Sequence, residues 1–376
     1  MPSLYIHLPW CVSKCPYCDF NSHQVNSKWS EMKYVDCLLL DLDRDAAQFS
    51  CRSFDSVFIG GGTPSLFSGN AVTYLLSGIR DRVELKEDAE ITLEANPGSA
   101  DTSRFEGYIN AGVNRISIGV QSFNDEALKA IGREHSGAEA ESAMRVAKSV
   151  GFLNFNIDLM FGLPGAKMGD ALSDLKRALA FEPTHISWYQ LTLEKNTAFA
   201  RNPPVLPAHN EICDEFDIGQ NLLEENGFSQ YEVSAYATAE RASAHNMNYW
   251  TFGDYLGIGA GAHGKMGCGS KIIRTEKIRK PESYIKAIES GEIAGVETEI
   301  QPSHKIGEYM LNALRLKDGF SLVDCMKKTN THSLDKQFKT NIEIASKKGL
   351  LDRTGDWVKP TPLGYRFLND LQLIFL

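Results

Sequence analysis

Cys11, Cys15 and Cys18 place three thiols within eight residues, in the run Cys11-Val-Ser-Lys-Cys15-Pro-Tyr-Cys18. The remaining five, Cys37, Cys51, Cys213, Cys268 and Cys325, are scattered. Eight cysteines in 376 residues are too sparse for a disulfide scaffold, and a tight odd-numbered group points to a metal instead. Iron–sulfur loops typically offer four cysteines to four irons, so three leave one iron with a position open to a chelating ligand. The rival is half of a zinc site completed by His7 or His23, although structural zinc sites usually pair C-x2-C units. Further along stand Gly60-Gly61-Gly62-Thr63-Pro64, Glu94-Ala95-Asn96-Pro97, Gly119-Val120-Gln121-Ser122 and Asp158 ahead of Gly162-Leu163-Pro164. Glycines without a Cβ let the backbone approach a ligand closely, or simply turn tightly.

These residues need a scaffold, and the pattern around them supplies one. β-rich runs at 4–8, 57–59, 90–93, 115–118, 154–158 and 185–189 alternate with helical patterns such as 34–48, 71–82, 138–150 and 169–181. Six strands, most followed by a helix, imply parallel pairing with right-handed crossovers, an α/β fold in an open or partial (β/α)6 barrel. Every polar or glycine-rich motif follows a strand, at the end where parallel barrels gather their chemistry. After Asn202-Pro203-Pro204 the alternation weakens. A helical stretch at 211–226 precedes a segment, 245–269, rich in His, aromatic residues and Gly. Helices at 305–314, 334–348 and 364–375 with a hairpin at 351–359 resemble a winged helix. The expected division is 1–200 for the partial barrel, 201–300 for an extension and 301–376 for a small winged-helix-like α+β domain.

Hydrophobic residues make up 43% and charged residues 23%, ordinary for a soluble globular chain. No run approaches the roughly 20 apolar residues that span a membrane, and no signal peptide is evident, so the expected location is the cytoplasm. Residues 301–376 carry 12 Lys+Arg against 8 Asp+Glu, leaving the first 300 with 27 against 40. An acidic main body argues against extensive nucleic-acid contact.

The C-x3-C-x2-C loop after a first strand, with Tyr17 before its last cysteine, resembles the radical S-adenosylmethionine (SAM) superfamily. The motifs YIHLPWC, GGGTP, EANP, GVQSF, GREH and GLPG are similar to those of the oxygen-independent coproporphyrinogen III oxidase family, over residues 5–164 and more weakly beyond. The resemblance implies a radical SAM barrel with a 4Fe-4S cluster on Cys11, Cys15 and Cys18. It implies SAM close to Gly61, Gly62 and Thr63, with Glu94 on its ammonium or ribose and Gln121 and Asp158 on ribose hydroxyls. Arg133 would hold the methionine carboxylate by a bidentate contact, with Arg115 as a rival. Tyr5 and Tyr17 would pack on the adenine or beside the cluster. In such proteins the cluster reduces bound SAM and cleaves it to a 5′-deoxyadenosyl radical, while the protein orients and excludes water.

Two departures from the oxidase stand out. Phe20 occupies the position of its fourth cysteine, and only ten residues precede Cys11 where the oxidase has a substantial arm. Both fit a related group, the haem chaperones, as does His245-Asn246-Met247-Asn248-Tyr249-Trp250, similar to that group's H-N-x-x-Y-W motif. That resemblance implies a haem-binding protein that delivers haem to an acceptor protein, with imidazole ligation by His245 and flat faces from Tyr249 and Trp250. The packing alternative makes His245 a core histidine. His263, Met266 and Cys268 are the other ligand candidates, and His263 is also a candidate for the SAM pocket. The alternative function is oxidative decarboxylation of coproporphyrinogen III. A winged-helix regulator is opposed by the acidic body and the lack of a dense basic helix.

Overall fold

The computed structural model describes residues 2–25 and 29–376. Its main sheet begins with β1 (Ser3–Leu8), β2 (Ser53–Gly61), β3 (Glu84–Ala95), β4 (Arg115–Gln121), β5 (Phe155–Phe161) and β6 (His185–Gln190). Each pairs with the next in parallel. The crossovers carry α1 (Glu31–Gln48), α2 (Gly69–Arg80), α3 (Thr102–Ala111), α4 (Gly137–Ser149) and α5 (Asp170–Leu179), and α6 (His209–Glu225) follows β6. Several helices start on a side chain that satisfies an otherwise orphaned backbone N–H. Ser30, Ser68 and Asp101 each accept one, and Ser136 with Glu139 forms a capping box.

The chain then adds β7 (Ser229–Glu232), β8 (Ala235–Ala237), β9 (Tyr255–Ile258), β10 (His263–Cys268), β11 (Lys271–Lys277) and β12 (Gly295–Glu299). The sheet order is β12-β11-β10-β9-β1-β2-β3-β4-β5-β6-β8-β7. Because β1 pairs with β9 rather than with β6, the sheet stays open. It is a partial barrel. In β1 the alternation of a pleated strand sends Leu4, Ile6 and Leu8 into the main core and leaves Tyr5 and His7 on the opposite face.

The stretch 245–269 holds a helix, Ala244–Trp250, and then β9 and β10, which extend the sheet on the far side of β1. A second core gathers Tyr309, Met310, Phe338, Ile342, Val358 and Leu371 with Phe252 and Ile272 of the extension. Around it the order is helix Lys305–Ala313, strand Phe320–Ser321, helices Leu322–Thr329 and Lys336–Lys347, and hairpin Leu351–Thr354 with Trp357–Pro360. The first strand pairs with the last in a three-stranded sheet, the order of a winged helix. Helix Leu322–Thr329 was not anticipated. It is two turns long, capped by Ser321 and stopped by Asn330 at φ 54°, too short for periodicity to reveal. The expected last helix is two pieces, Pro362–Arg366 and Leu368–Leu373, parted at Phe367.

Candidate functional site

The C-terminal ends of the parallel strands surround a cavity of about 800 Å³, and the cysteine loop forms part of its wall. Cys11 is set by a short parallel pairing of Trp10–Cys11 with His23–Gln24 and by Trp10, which packs edge-on against Tyr34 at 4.5 Å. Cys15 Sγ lies 3.6 Å from the Gly132 carbonyl and 3.8 Å from Arg133 Nη1, and Cys18 Sγ 4.0 Å from Ser22 Oγ. Burial pushes the Cys11 and Cys18 thiols up. Among the described residues, no three His, Cys, Asp or Glu side chains form a group able to hold a single metal ion. His7 is fully committed: Nε2–H donates to the Asn21 carbonyl at 2.8 Å, so Nδ1 accepts from the Tyr5 hydroxyl at 2.8 Å. Cysteines of a four-iron cluster each take their own iron and need not converge on one point.

The glycine run at the C-terminal end of β2 packs closely within the protein. A Cβ on Gly62 would sit 2.4 Å from the Trp10 carbonyl oxygen, and one on Gly61 2.8 Å from the His7 ring, where φ is +124°. The cysteine strand therefore packs directly on bare backbone, held by N–H bonds from Gly62 to Leu8 and from Thr63 to Trp10. This close approach is between segments of the protein, and Gly61 and Gly62 also line the cavity.

Two carboxyls, Glu94 and Asp158, face the cavity and make no ion pair among the described residues. Glu94 accepts one bond, from the Gly61 N–H at 3.1 Å, and burial reinforced by Asp158 pushes it up to about 8. Asp158 accepts from Ser117 Oγ at 3.0 Å and Asn156 Nδ2 at 2.7 Å, and burial raises it as well. Arg133, on the same cavity, donates from Nη2 to the Gly119 carbonyl at 2.8 Å, and its buried Nε has no partner among the described residues. His135 donates from Nε2 to Val120 and keeps a buried, unpartnered Nδ1, with burial lowering it to about 4. Gln121 sits at φ 67° and accepts from the Tyr189 hydroxyl at 2.7 Å.

Of the expected residues, Cys11, Cys15, Tyr17, Cys18, Gly61, Gly62, Thr63, Glu94, Gln121, Arg133 and Asp158 line this one cavity. Arg115 does not. It is 2% exposed, near Thr92 and Glu90, deeper among the strands. Tyr189, Ser117 and His135 also line the cavity and were not singled out. Tyr189 is the penultimate residue of β6, and that place near the strand's end was the available signal.

A second, half-open groove of about 470 Å³ adjoins the first, with Phe20 bordering both. Its aromatic wall includes Tyr5, Tyr249, Trp250 and Tyr255, and Lys265, Arg274, Arg279 and His263 add polar edges. Tyr5, expected beside the adenine or cluster, faces this groove. His245 is absent from it. At 1% exposure, its Nδ1–H donates to Ser56 Oγ at 3.1 Å, since Ser56 gives its own proton to Ser3, and Nε2 accepts from the Tyr249 hydroxyl at 3.0 Å. An imidazole with both nitrogens committed cannot ligate iron in this arrangement, so the packing alternative describes His245. Met266 is buried and Cys268 exposed, and neither lines the groove.

A family model described as the radical SAM superfamily matches residues 5–178. The chain is 45% identical to heme chaperone HemW of Escherichia coli (strain K12), over 100% of this chain and 98% of that protein. It is 44% identical to heme chaperone HemW of Haemophilus influenzae, covering 100% and 97%, and 32% identical to heme chaperone HemW of Bacillus subtilis (strain 168), covering 100% and 99%. Among solved structures, coproporphyrinogen III oxidase (HemN) from Escherichia coli matches with a TM-score of 0.84 at 20% identity, over 100% of this chain and 90% of that one. That likeness speaks to the fold.

Proposed function

The chain belongs to the HemW family of haem chaperones and carries a radical SAM domain, and on that footing we propose that it binds haem and passes it to an acceptor protein. The observation that carries the reading is the pair of adjoining spaces: a polar cavity beside three cysteines, and an aromatic groove edged with cations, sharing Phe20. In the cavity, Cys11, Cys15 and Cys18 would hold the 4Fe-4S cluster. Glu94 suits the ammonium of SAM, because a buried carboxyl with one bond gains most from a cationic partner. Arg133 Nε, buried and unpartnered, suits a carboxylate oxygen. Asp158, Gln121 and Tyr17 would take the ribose and adenine. When bound, the cluster supplies the electron that cleaves SAM. The protein's part is to orient the sulfonium and keep water out.

For the groove, flat side chains offer stacking area to a macrocycle and cations offer partners to its propionates. Tyr249 and Trp250 would serve there as faces. The test is an anaerobic haem titration of the cluster-reconstituted protein beside an assay for coproporphyrinogen III decarboxylation with SAM and reductant. A saturable Soret band with no decarboxylation is the expected result. Decarboxylation without haem uptake would replace the chaperone by the oxidase.

A further inference from the structure

Resting on the haem reading above, we propose that the 470 Å³ groove is the haem seat, with His263 as the axial ligand to iron and Arg279 as partner to a propionate. Elimination within the groove leads to His263. His7 has both nitrogens committed, and His245 lies in the core. The hydroxyls of Tyr5 and Tyr249 are bound to His7 and His245, and that of Tyr255 accepts from Arg274 at 3.4 Å. The Lys265 ammonium donates to the Phe252 carbonyl and Asp254 while resting 4.2 Å from the Phe252 ring centroid. His263, exposed at the start of β10, makes no side-chain hydrogen bond among the described residues. An exposed, uncommitted imidazole beside flat aromatic walls is what a porphyrin iron requires of its pocket.

Charge picks the second residue in the same way. Three cations and one carboxylate, Asp19, line the groove. Arg274 is paired with Glu308 and Lys265 with Asp254, so two of the three are already neutralised. Arg279 is exposed and makes no ion pair among the described residues. Its backbone is anchored instead, since its carbonyl accepts from Asn21 Nδ2 at 2.8 Å. The guanidinium stays free for an oxygen pair while its base is tied to the loop that carries the cysteines.

The experiment uses the full chain with its cluster reconstituted, and two probes, ferric haem and iron-free protoporphyrin IX. His263→Ala is expected to move the Soret band and weaken haem at least about tenfold. It should leave the iron-free macrocycle nearly unchanged, and added imidazole should restore the spectrum. Arg279→Glu should weaken both probes by a similar factor, an effect that disappears with haem dimethyl ester. His245→Gln, with native circular dichroism, should keep the wild-type Soret band. A wild-type spectrum in His263→Ala, or loss of the band in a folded His245→Gln, overturns the ligand assignment. If the wild-type chain carries its cluster and binds SAM yet takes no haem, the haem reading itself fails.

Discussion

At the scale of single residues, Cys11, Cys15 and Cys18 stand apart from the other five cysteines because they line one cavity. Cys37, Cys51 and Cys325 are buried, with thiols pushed up to about 11, 11 and 12 by burial, the state of inert packing groups. Alanine at Cys11, Cys15 or Cys18 should abolish bound iron and acid-labile sulfide, while alanine at any of the other five should leave both. Full cluster content in a Cys15 variant would refute the ligand set. Glu94 offers a test by pH. Its folded value near 8 exceeds the ordinary 4.5, so the folded state holds the proton more tightly. Stability from this group is therefore complete below the ordinary value and declines as the pH rises from about 4.5 to 8. The slope is at most about 1.4 kcal/mol per pH unit. Glu94→Gln removes the decline. Urea midpoints at pH 5 and pH 8.5 should fall less in the variant than in the wild type, and equal falls would show that Glu94 does not titrate in this window.

At the scale of elements, the strands hold Asp158 in place through a chain of buried polar groups. Asn156 on β5 donates to Asp158 and to Ser117, both at 2.7 Å, and its carbonyl accepts from His185 Nδ1 on β6 at 2.6 Å. His185 Nε2 then accepts from the Tyr231 hydroxyl of β7 at 2.8 Å. Tyr231 in turn accepts from the N–H of Ser243, the cap of helix Ala244–Trp250. Two segments more than a hundred residues apart thus meet under the cavity. Asn156→Ala leaves the His185 Nδ1–H without its acceptor and takes one donor from Asp158, which keeps Ser117, at a cost of about 1–3 kcal/mol for the unsatisfied group. It should also weaken SAM binding without touching the ligand. Denaturation and equilibrium binding on one preparation check both, and unchanged affinity would show that Asp158 keeps its aim without this support. The strands were legible from their apolar runs, and the site residues from their strand-end positions. The polar chain beneath was not, because Asn156, His185 and Tyr231 look like isolated polar residues until the strands pair.

At the scale of the whole molecule, Arg315 joins the second core to the barrel. Its guanidinium pairs with buried Glu232 at 2.9 Å and lies 4.2 Å from the centroid of Trp250, while Arg366 pairs with Asp217 of α6. Arg315→Ala leaves Glu232 buried and unpaired and should cost roughly 2–4 kcal/mol. The expected readout is a lower Tm with a change in tryptophan fluorescence, and an unchanged Tm would mean the two parts dock without it. Residue spacing alone determined the cysteine loop, the six strand–helix units and the end of the sheet where chemistry gathers, since these depend on neighbours within a few residues. Tertiary structure alone decided that Arg133 rather than Arg115 lines the cavity, that β9 joins β1, and that Tyr5 faces the groove. It decided the place of His245 too: its Ser56 partner stands 189 residues away. Whether an imidazole is a ligand or a core residue depends on which groups already hold its two nitrogens, and folding brings those groups from anywhere in the chain.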